Sequence, residues 1–196
     1  MIVLGLTGSI GMGKSTTAKL FNELGIAVFD ADRRVHELYR YEALESLKKR
    51  FPQAEVGHQI DRKLLGKLVV GDQKAMADLE QIVHPYIEAA RCEFVTAQRN
   101  HRSRIVVLDI PLLLETRAWR EVDAIAVVSA PHWLQRNRVL ARPGMDDEKF
   151  TGLLKRQMPD AEKRYRAHFT VQSGFGFVSA KRQVQSIIRA LSQIER

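Results

Sequence analysis

The sequence predicts an α/β fold in which a five-stranded parallel sheet is covered by helices. Short apolar runs alternate with helical patterns along the chain, which is the signature of such a sheet. The first run passes straight into a glycine-rich turn and a helix. The composition is that of a folded protein: of 196 residues, 45% are hydrophobic and 28% charged, with only 12 Gly and 6 Pro. Disordered, collagen-like and low-complexity chains are excluded on that basis. At this length one domain with a sizeable insertion is expected, and no disulfide staples are needed.

The first strand is the apolar run 2–6, which ends in Thr7-Gly8, and a helical pattern follows from Lys14 with Phe21 and Leu24 on one side. Residues 27–29, introduced by Gly25, form the second strand. The third is Ile105-Val106-Val107-Leu108, closed by Asp109, and the fourth lies within 123–129. A weaker fifth is Phe169-Thr170-Val171. The final helix carries Val184, Ile187, Ile188 and Leu191 at i, i+3, i+4 and i+7. Between the second and third strands lie 75 residues, far more than a crossover needs. They read as helices over 44–51, 62–70, 72–83 and 85–98, with Ile87, Ala90 and Phe94 as the apolar face of the last and Pro85 in its first turn. A helical subdomain inserted into the α/β core is therefore expected. The turn-rich stretch Arg142-Pro143-Gly144-Met145-Asp146-Asp147 separates two helical segments and suits a mobile lid.

The chain holds 31 Lys+Arg against 23 Asp+Glu, a formal charge of +8. Nucleic acid and small phosphorylated ligands compete to explain that excess. Residues 136–166 carry nine Lys or Arg against five acids, so half of the excess falls in about a sixth of the chain. That stretch has only Phe150 and Tyr165 as aromatics, too few for the stacking platform of a single-strand reader. Cys92 is the only cysteine; on an amphipathic helix it reads as a small buried hydrophobe. The apolar opening lacks a basic flank, and no uncharged run approaches the roughly 20 residues of a membrane span. The expectation is a cytoplasmic protein.

Gly8-Ser9-Ile10-Gly11-Met12-Gly13-Lys14-Ser15 fits G-x-x-x-x-G-K-[ST] between a strand and a helix, where a P-loop must sit. Glycines let backbone N–H groups curl around phosphate oxygens, and the helix N-terminus adds partial positive charge. Lys14 reaches the β/γ-phosphates and Ser15 ligates Mg²⁺. The glycine spacing is not that of a dinucleotide turn. No Asn-Lys-x-Asp marks a guanine-specific GTPase. A small-molecule kinase needs a group to orient the acceptor hydroxyl, an acid for the Mg²⁺ shell and cations for the moving phosphoryl. Asp32, in Asp30-Ala31-Asp32 after the second strand, suits the first role, with Asp30 capping the next helix. Asp109 ends the third strand and suits the Walker-B position, or alternatively a turn before Pro111. Arg138 and Arg142 flank the lid, or form a solvated helix face. His84, before Pro85, reads as a hydrogen-bonding residue at a helix start, and the other histidines show no metal-ligand spacing.

Together, Gly5 through Thr16, Asp30-Ala31-Asp32, His84-Pro85-Tyr86-Ile87 and Asp109-Ile110-Pro111-Leu112-Leu113-Leu114-Glu115 resemble the dephospho-coenzyme A kinase family, in that order and spacing. The match extends through Arg142 and Gln157 and covers nearly the whole chain. The resemblance implies a single P-loop nucleotide kinase-like domain over 1–196: a three-layer core (1–32 and 104–196), a helical substrate-binding insertion (33–103) and a lid at about 142–158. It implies ATP-dependent phosphorylation of the ribose 3′-hydroxyl of dephospho-coenzyme A. By position, Asp32 would be the general base, Lys14 would stabilise the phosphoryl, and Arg142 would close over the ATP phosphates. Gly8, Gly11, Met12, Gly13, Lys14, Ser15, Thr16, Arg138 and Arg142 would bind ATP; Thr7, Asp32 and His84 the acceptor; Ser15 and Asp109 the Mg²⁺. Partners would be ATP and dephospho-coenzyme A, with no nucleic acid or membrane and a monomer as the expected state. One departure lies at Ala167-His168-Phe169-Thr170-Val171-Gln172-Ser173-Gly174, where the family usually shows Ala-Asp-x-Val-Ile and an Asn- or Asp-containing glycine turn; that segment would border adenine. Shikimate- or gluconate-type kinases and a basic nucleic-acid-binding P-loop protein are the alternatives.

Overall fold

Apolar alternation and continuous β-branched runs place strands where both faces can be buried. The computed structural model describes residues 1–194. In chain order the first elements are β1 (Ile2–Thr7), α1 (Lys14–Glu23), β2 (Ala27–Asp30), α2 (Ala31–Leu38) and α3 (Leu44–Arg50). Next come β3 (Glu55–Val56), β4 (Gln59–Ile60), α4 (Arg62–Val69), α5 (Gln73–Asn100), β5 (Ile105–Asp109) and β6 (Ala124–Ser129). The chain continues through α6 (His132–Leu140), α7 (Asp147–Lys155), α8 (Asp160–Tyr165), β7 (Phe169–Gln172) and α9 (Gly176–Ser192). The five-stranded sheet has the order β2-β5-β1-β6-β7. β1 runs parallel to β5 and β6, and β6 to β7, in the all-parallel arrangement that the sequence predicts.

Two compact units divide the chain: Met1–Phe29 with the chain from Gln98 onward, and Asp30–Ala97. In the first unit, Ile2, Leu4 and Leu6 point to one sheet face and meet Leu20 and Phe21 of α1 and Val184, Ile187 and Leu191 of α9. The opposite face is closed by Leu113, Leu114 and Val122 from the stretch after β5, with Met158 and Ala167. The layer there is largely turn and 3-10 backbone rather than helix. The second unit has its own core of Leu38, Leu47, Phe51, Leu65, Leu79 and Val83, and a two-stranded antiparallel hairpin of β3 and β4.

Three expectations are corrected. Helices over 72–83 and 85–98 are one helix, α5, with Pro85 inside it. Proline removes one hydrogen bond and clashes with the preceding turn, at about 3 kcal/mol in a helix interior. The apolar stripe continues across it, however: Ala75, Leu79 and Val83 on one side and Tyr86 and Ile87 on the other join the same cluster, and that packing outweighs the local penalty. His84 is consequently mid-helix and exposed, not a helix-start residue. Cys92 is exposed, because the face of Ile87, Ala90 and Phe94 is turned away from it. The β3–β4 hairpin was not foreseen, its strands having two residues each, and α2, expected only from the Asp30 cap, is short and polar.

Candidate active site

Four parallel strands of the first unit bring their carboxyl ends together, the edge at which open α/β sheets bind ligands. The loop 8–13 leaves β1 there. Gly11 takes φ 78° and Gly13 φ 92°. A Cβ on Gly11 would stand 2.6 Å from Val139 Cγ2 and 2.8 Å from the Gln135 carbonyl, so only glycine lets the loop lie on α6. Gly8 is held as closely, with the Val128 carbonyl 2.7 Å from where its Cβ would be. Gly13 caps α1 and no side chain does. The first intrahelical acceptor is the Gly13 carbonyl, which takes the Thr17 N–H at 3.1 Å. The N–H groups of Lys14, Ser15 and Thr16 therefore face the loop without intrahelical partners, an anion-binding arrangement.

Lys14 Nζ donates to Asp109 Oδ1 at 2.7 Å. Asp109 is 1% exposed, so the end of β5 supplies a buried carboxylate beside the loop lysine. Ser15 and Thr16 are exposed at the start of α1, and the Ser15 hydroxyl has no hydrogen-bond partner among the described residues. No group of three or more His, Cys, Asp or Glu side chains among the described residues could hold a metal by itself. Ser15 and Asp109 supply oxygen donors of the type Mg²⁺ takes, and the ion commonly completes its shell from water and nucleotide phosphates. The residues present fit that mode of binding.

Several assigned side chains are engaged differently from expectation. Thr7 is fully buried and its hydroxyl donates to the Pro111 carbonyl at 2.9 Å. It ties β1 to the turn after β5, a structural bond that the motif alone does not specify. Met12 is 2% exposed, and its sulfur accepts from the Ala130 N–H at 3.1 Å. Its side chain thus anchors the loop to the end of β6, a role that the motif alone does not specify. Arg138 donates to Ser173 Oγ at 2.9 Å and to the Ser173 carbonyl at 3.1 Å, with the Gly11 carbonyl at 3.4 Å. Ser173 Oγ in turn donates to the Met12 carbonyl at 2.6 Å. The segment after β7 is therefore bound to the P-loop through Arg138.

The departure at 167–174 has a simple physical reading. His168 Nδ1 accepts from the Ile125 N–H at 3.1 Å, while the His168 N–H donates to the Ile125 carbonyl. The imidazole nitrogen supplies the acceptor that an aspartate carboxylate can offer at that position. Sequence reasoning gave no role to Ser173, Gln135 or Gln157. Gln135 is an amide buried within α6, a pattern that carries no local signal.

Arg142 is exposed after α6 and makes no side-chain bond among the described residues. Helices α6 and α7 form a hairpin. Arg136 holds Asp147 through two bonds of 2.8 and 2.6 Å, and the His132 ring stacks on Phe150 at 5.9 Å. Asp146 caps α7 by accepting from the Lys149 N–H at 2.8 Å, which holds its carboxyl below the usual carboxylate range. Under the hairpin lies a cavity of about 710 Å³ lined by Ser9, Met12, Ser129, Gln135, Lys155 and Gln157 among others.

In the second unit Asp30 caps α2 as expected, accepting from the Arg33 N–H at 2.9 Å. Asp32 lies in the first turn of α2, exposed and without a side-chain partner among the described residues. This unit has a cavity of its own, about 850 Å³, with Arg33, His36, Tyr39, Arg40, Arg62 and Lys63 in its lining. Burial, and then the charge of Arg62, lower the His36 pKa, while burial raises that of Tyr39.

Residues 2–176 match the sequence profile of the dephospho-CoA kinase family. The chain belongs to that family. The dephospho-CoA kinase of Rhodopseudomonas palustris strain HaA2 is 46% identical over 196 residues, covering 100% of this chain and 98% of its own. That of Agrobacterium fabrum is 49% identical over 191 residues, or 97% and 98%. Among solved structures, a Thermus thermophilus protein superposes with a TM-score of 0.87 at 33% identity, covering 99% of this chain and 98% of its own. A shikimate kinase from Acinetobacter baumannii, at TM-score 0.53 and 18% identity, shares the fold alone. The P-loop, the Asp109-Ile110-Pro111 turn and Arg138 of α6 converge on one sheet edge in this kinase.

Proposed function

We propose that this kinase transfers the γ-phosphoryl of ATP to the ribose 3′-hydroxyl of dephospho-coenzyme A, giving coenzyme A and ADP. The observation that carries the reading is the P-loop with Lys14 on the buried Asp109, in a chain that matches dephospho-CoA kinases along its whole length. Gly8, Gly11, Met12, Gly13, Lys14, Ser15 and Thr16 bind the ATP phosphates, chiefly through backbone N–H groups. Ser15 and Asp109 would hold Mg²⁺ together with the nucleotide, and the ion would supply charge neutralisation for the phosphates. Lys14 leaves Asp109 to follow the phosphoryl group, and Arg142 reaches the same phosphates from the lid hairpin.

Asp32 accepts the proton of the 3′-hydroxyl as that oxygen attacks. The transition state of phosphoryl transfer is loose, so placement and charge contribute more than base strength. An exposed carboxylate that makes no side-chain hydrogen bond suits that task, since no donor has to be displaced for it to accept. The second unit binds the acceptor, with His84 on its long helix and the basic lining of its cavity as the seat for the acceptor's phosphates. Arg138 acts on ATP through the segment after β7. All of these groups come from one chain, and we take the enzyme to act as a monomer. The lone cysteine fits a reducing compartment, and we place the reaction in the cytoplasm. Among the described residues no helix is long and apolar enough to cross a membrane.

The test is an acceptor screen with ATP and Mg²⁺ against dephospho-coenzyme A, shikimate and nucleoside monophosphates. Saturable turnover with dephospho-coenzyme A alone is expected. Faster turnover with shikimate would move the enzyme to the other kinase class that shares its fold.

A further inference from the structure

The tip of the P-loop is held from outside by two glutamine amides. Gln157 Oε1 accepts from the Ile10 N–H at 3.0 Å, and Gln135 Nε2 donates to the Ile10 carbonyl at 2.8 Å. Gln135 lies on α6 and Gln157 just after α7, so the two ends of the lid hairpin are pinned to one loop residue. Gln135 sits on a packed helix and is 3% exposed. Gln157 is in the turn between α7 and α8, where no regular element fixes the backbone.

That turn is fixed by Glu115, the last residue of the Asp109-Ile110-Pro111-Leu112-Leu113-Leu114-Glu115 run. Glu115 Oε1 accepts from the N–H of Met158, the residue next to Gln157, at 2.8 Å. The same oxygen stands 2.8 Å from Lys163 Nζ, an ion-pair distance at an angle outside the hydrogen-bond range. Lys163 is fully buried, and Glu115 Oε2 is buried without a hydrogen-bond partner among the described residues. A buried ion pair with unsatisfied atoms contributes little net stability compared with an apolar pair of the same size. Its geometry nevertheless fixes the Met158 amide, and with it the direction from which Gln157 meets the P-loop.

We propose that Glu115 is a positioning residue for the nucleotide, acting through Met158 and Gln157 on the P-loop backbone at Ile10. The inference rests on ATP binding by the P-loop, as in the proposed function. Glu115 itself touches no phosphate; it keeps the loop in the conformation that receives one. Loss of Gln157 leaves the Ile10 N–H without its acceptor, and loss of Glu115 lets the Gln157 turn drift, so both substitutions break one chain of contacts.

The experiment is a calorimetric titration of the full-length protein with Mg²⁺ and a non-hydrolysable ATP analogue, for wild type, Gln157→Ala, Glu115→Ala and the double variant. Each single substitution should weaken binding roughly five- to tenfold, the worth of one hydrogen bond. The double variant should be no more than about twofold weaker than the weaker single, because residues acting through one contact chain are not additive. Multiplying single effects, or an unchanged Kd in Glu115→Ala with only a lower Tm, would overturn the proposal and leave Glu115 a purely structural residue. Should Glu115→Ala not fold, Glu115→Asp keeps the charge facing Lys163 but withdraws the carboxylate from Met158. Weaker nucleotide binding is again expected, and an unchanged Kd counts against the role. Glu115→Gln with Lys163→Met retains the acceptor and removes the buried charges, and it should restore binding to within about twofold of wild type. Acceptor phosphorylation by the wild type is measured separately. An enzyme that binds the analogue but leaves dephospho-coenzyme A unmodified would refute the function without touching this coupling.

Discussion

Lys14 and Asp109 are coupled in stability as well as in chemistry. With Asp109 at 1% exposure and Lys14 Nζ 2.7 Å away, Lys14→Met leaves a buried carboxylate without its lysine, at a cost of about 3 kcal/mol. Denaturant unfolding should show that loss alongside abolished turnover. Adding Asp109→Asn to Lys14→Met should recover most of the stability and none of the activity. Asp32 behaves in the opposite way. It is exposed and makes no side-chain hydrogen bond or ion pair among the described residues, so Asp32→Asn should leave Tm and ATP affinity near wild type while lowering kcat by orders of magnitude. Near-normal turnover in that variant would remove Asp32 from the base role. The positions of Lys14, Asp109 and Asp32 were readable because the motif and the strand ends specify them. Thr7 was not, because a hydroxyl at a strand end looks the same in sequence whether it faces a ligand or, as here, donates to the Pro111 carbonyl.

Among the elements, the hairpin of α6 and α7 is held by the Arg136–Asp147 pair and the His132–Phe150 stack, which leaves the Arg142 side chain at its turn with no hydrogen bond or ion pair among the described residues. Arg142→Ala should raise the KM for ATP and lower kcat, with an unchanged Tm because no folded-state bond is lost. A change in Tm as large as that of a core variant would contradict the assignment of Arg142 to phosphate. The strands were readable from apolar runs and the last helix from its period. The long helix α5 was not, since Pro85 marks a boundary by every local rule. Only the common cluster on which Val83, Tyr86 and Ile87 pack shows why the helix continues, and that contact lies outside any short window of sequence. The bonds of Gln135 and Gln157 to Ile10 span more than 120 residues of chain, so they were equally invisible.

For the whole molecule, the cations behind the net charge of +8 are unequally engaged. Of the nine cations within 136–166, Arg136, Lys149, Lys163, Arg164 and Arg166 are paired with acids, and Arg138 is engaged with Ser173 and Gly11. Arg142, Lys155 and Arg156 remain without ion pairs among the described residues and are the cations of this stretch that a polyphosphate could engage. The pH dependence follows from His36. Burial and Arg62 lower its pKa in the folded state, so below the unfolded value of 6.5 the unfolded chain takes up the proton first. The stability tied to neutral His36 is complete above that value and lost as pH falls through the folded pKa. Melting at pH 7.5 and 5.5 should show a larger drop for wild type than for His36→Gln, and equal drops would exclude this residue as a source. Phosphorus NMR of a reaction with ATP, Mg²⁺ and dephospho-coenzyme A reads the phosphoryl transfer itself. The expected result is one new 3′-phosphomonoester signal for each ADP formed. ADP and inorganic phosphate with no new phosphomonoester would contradict it.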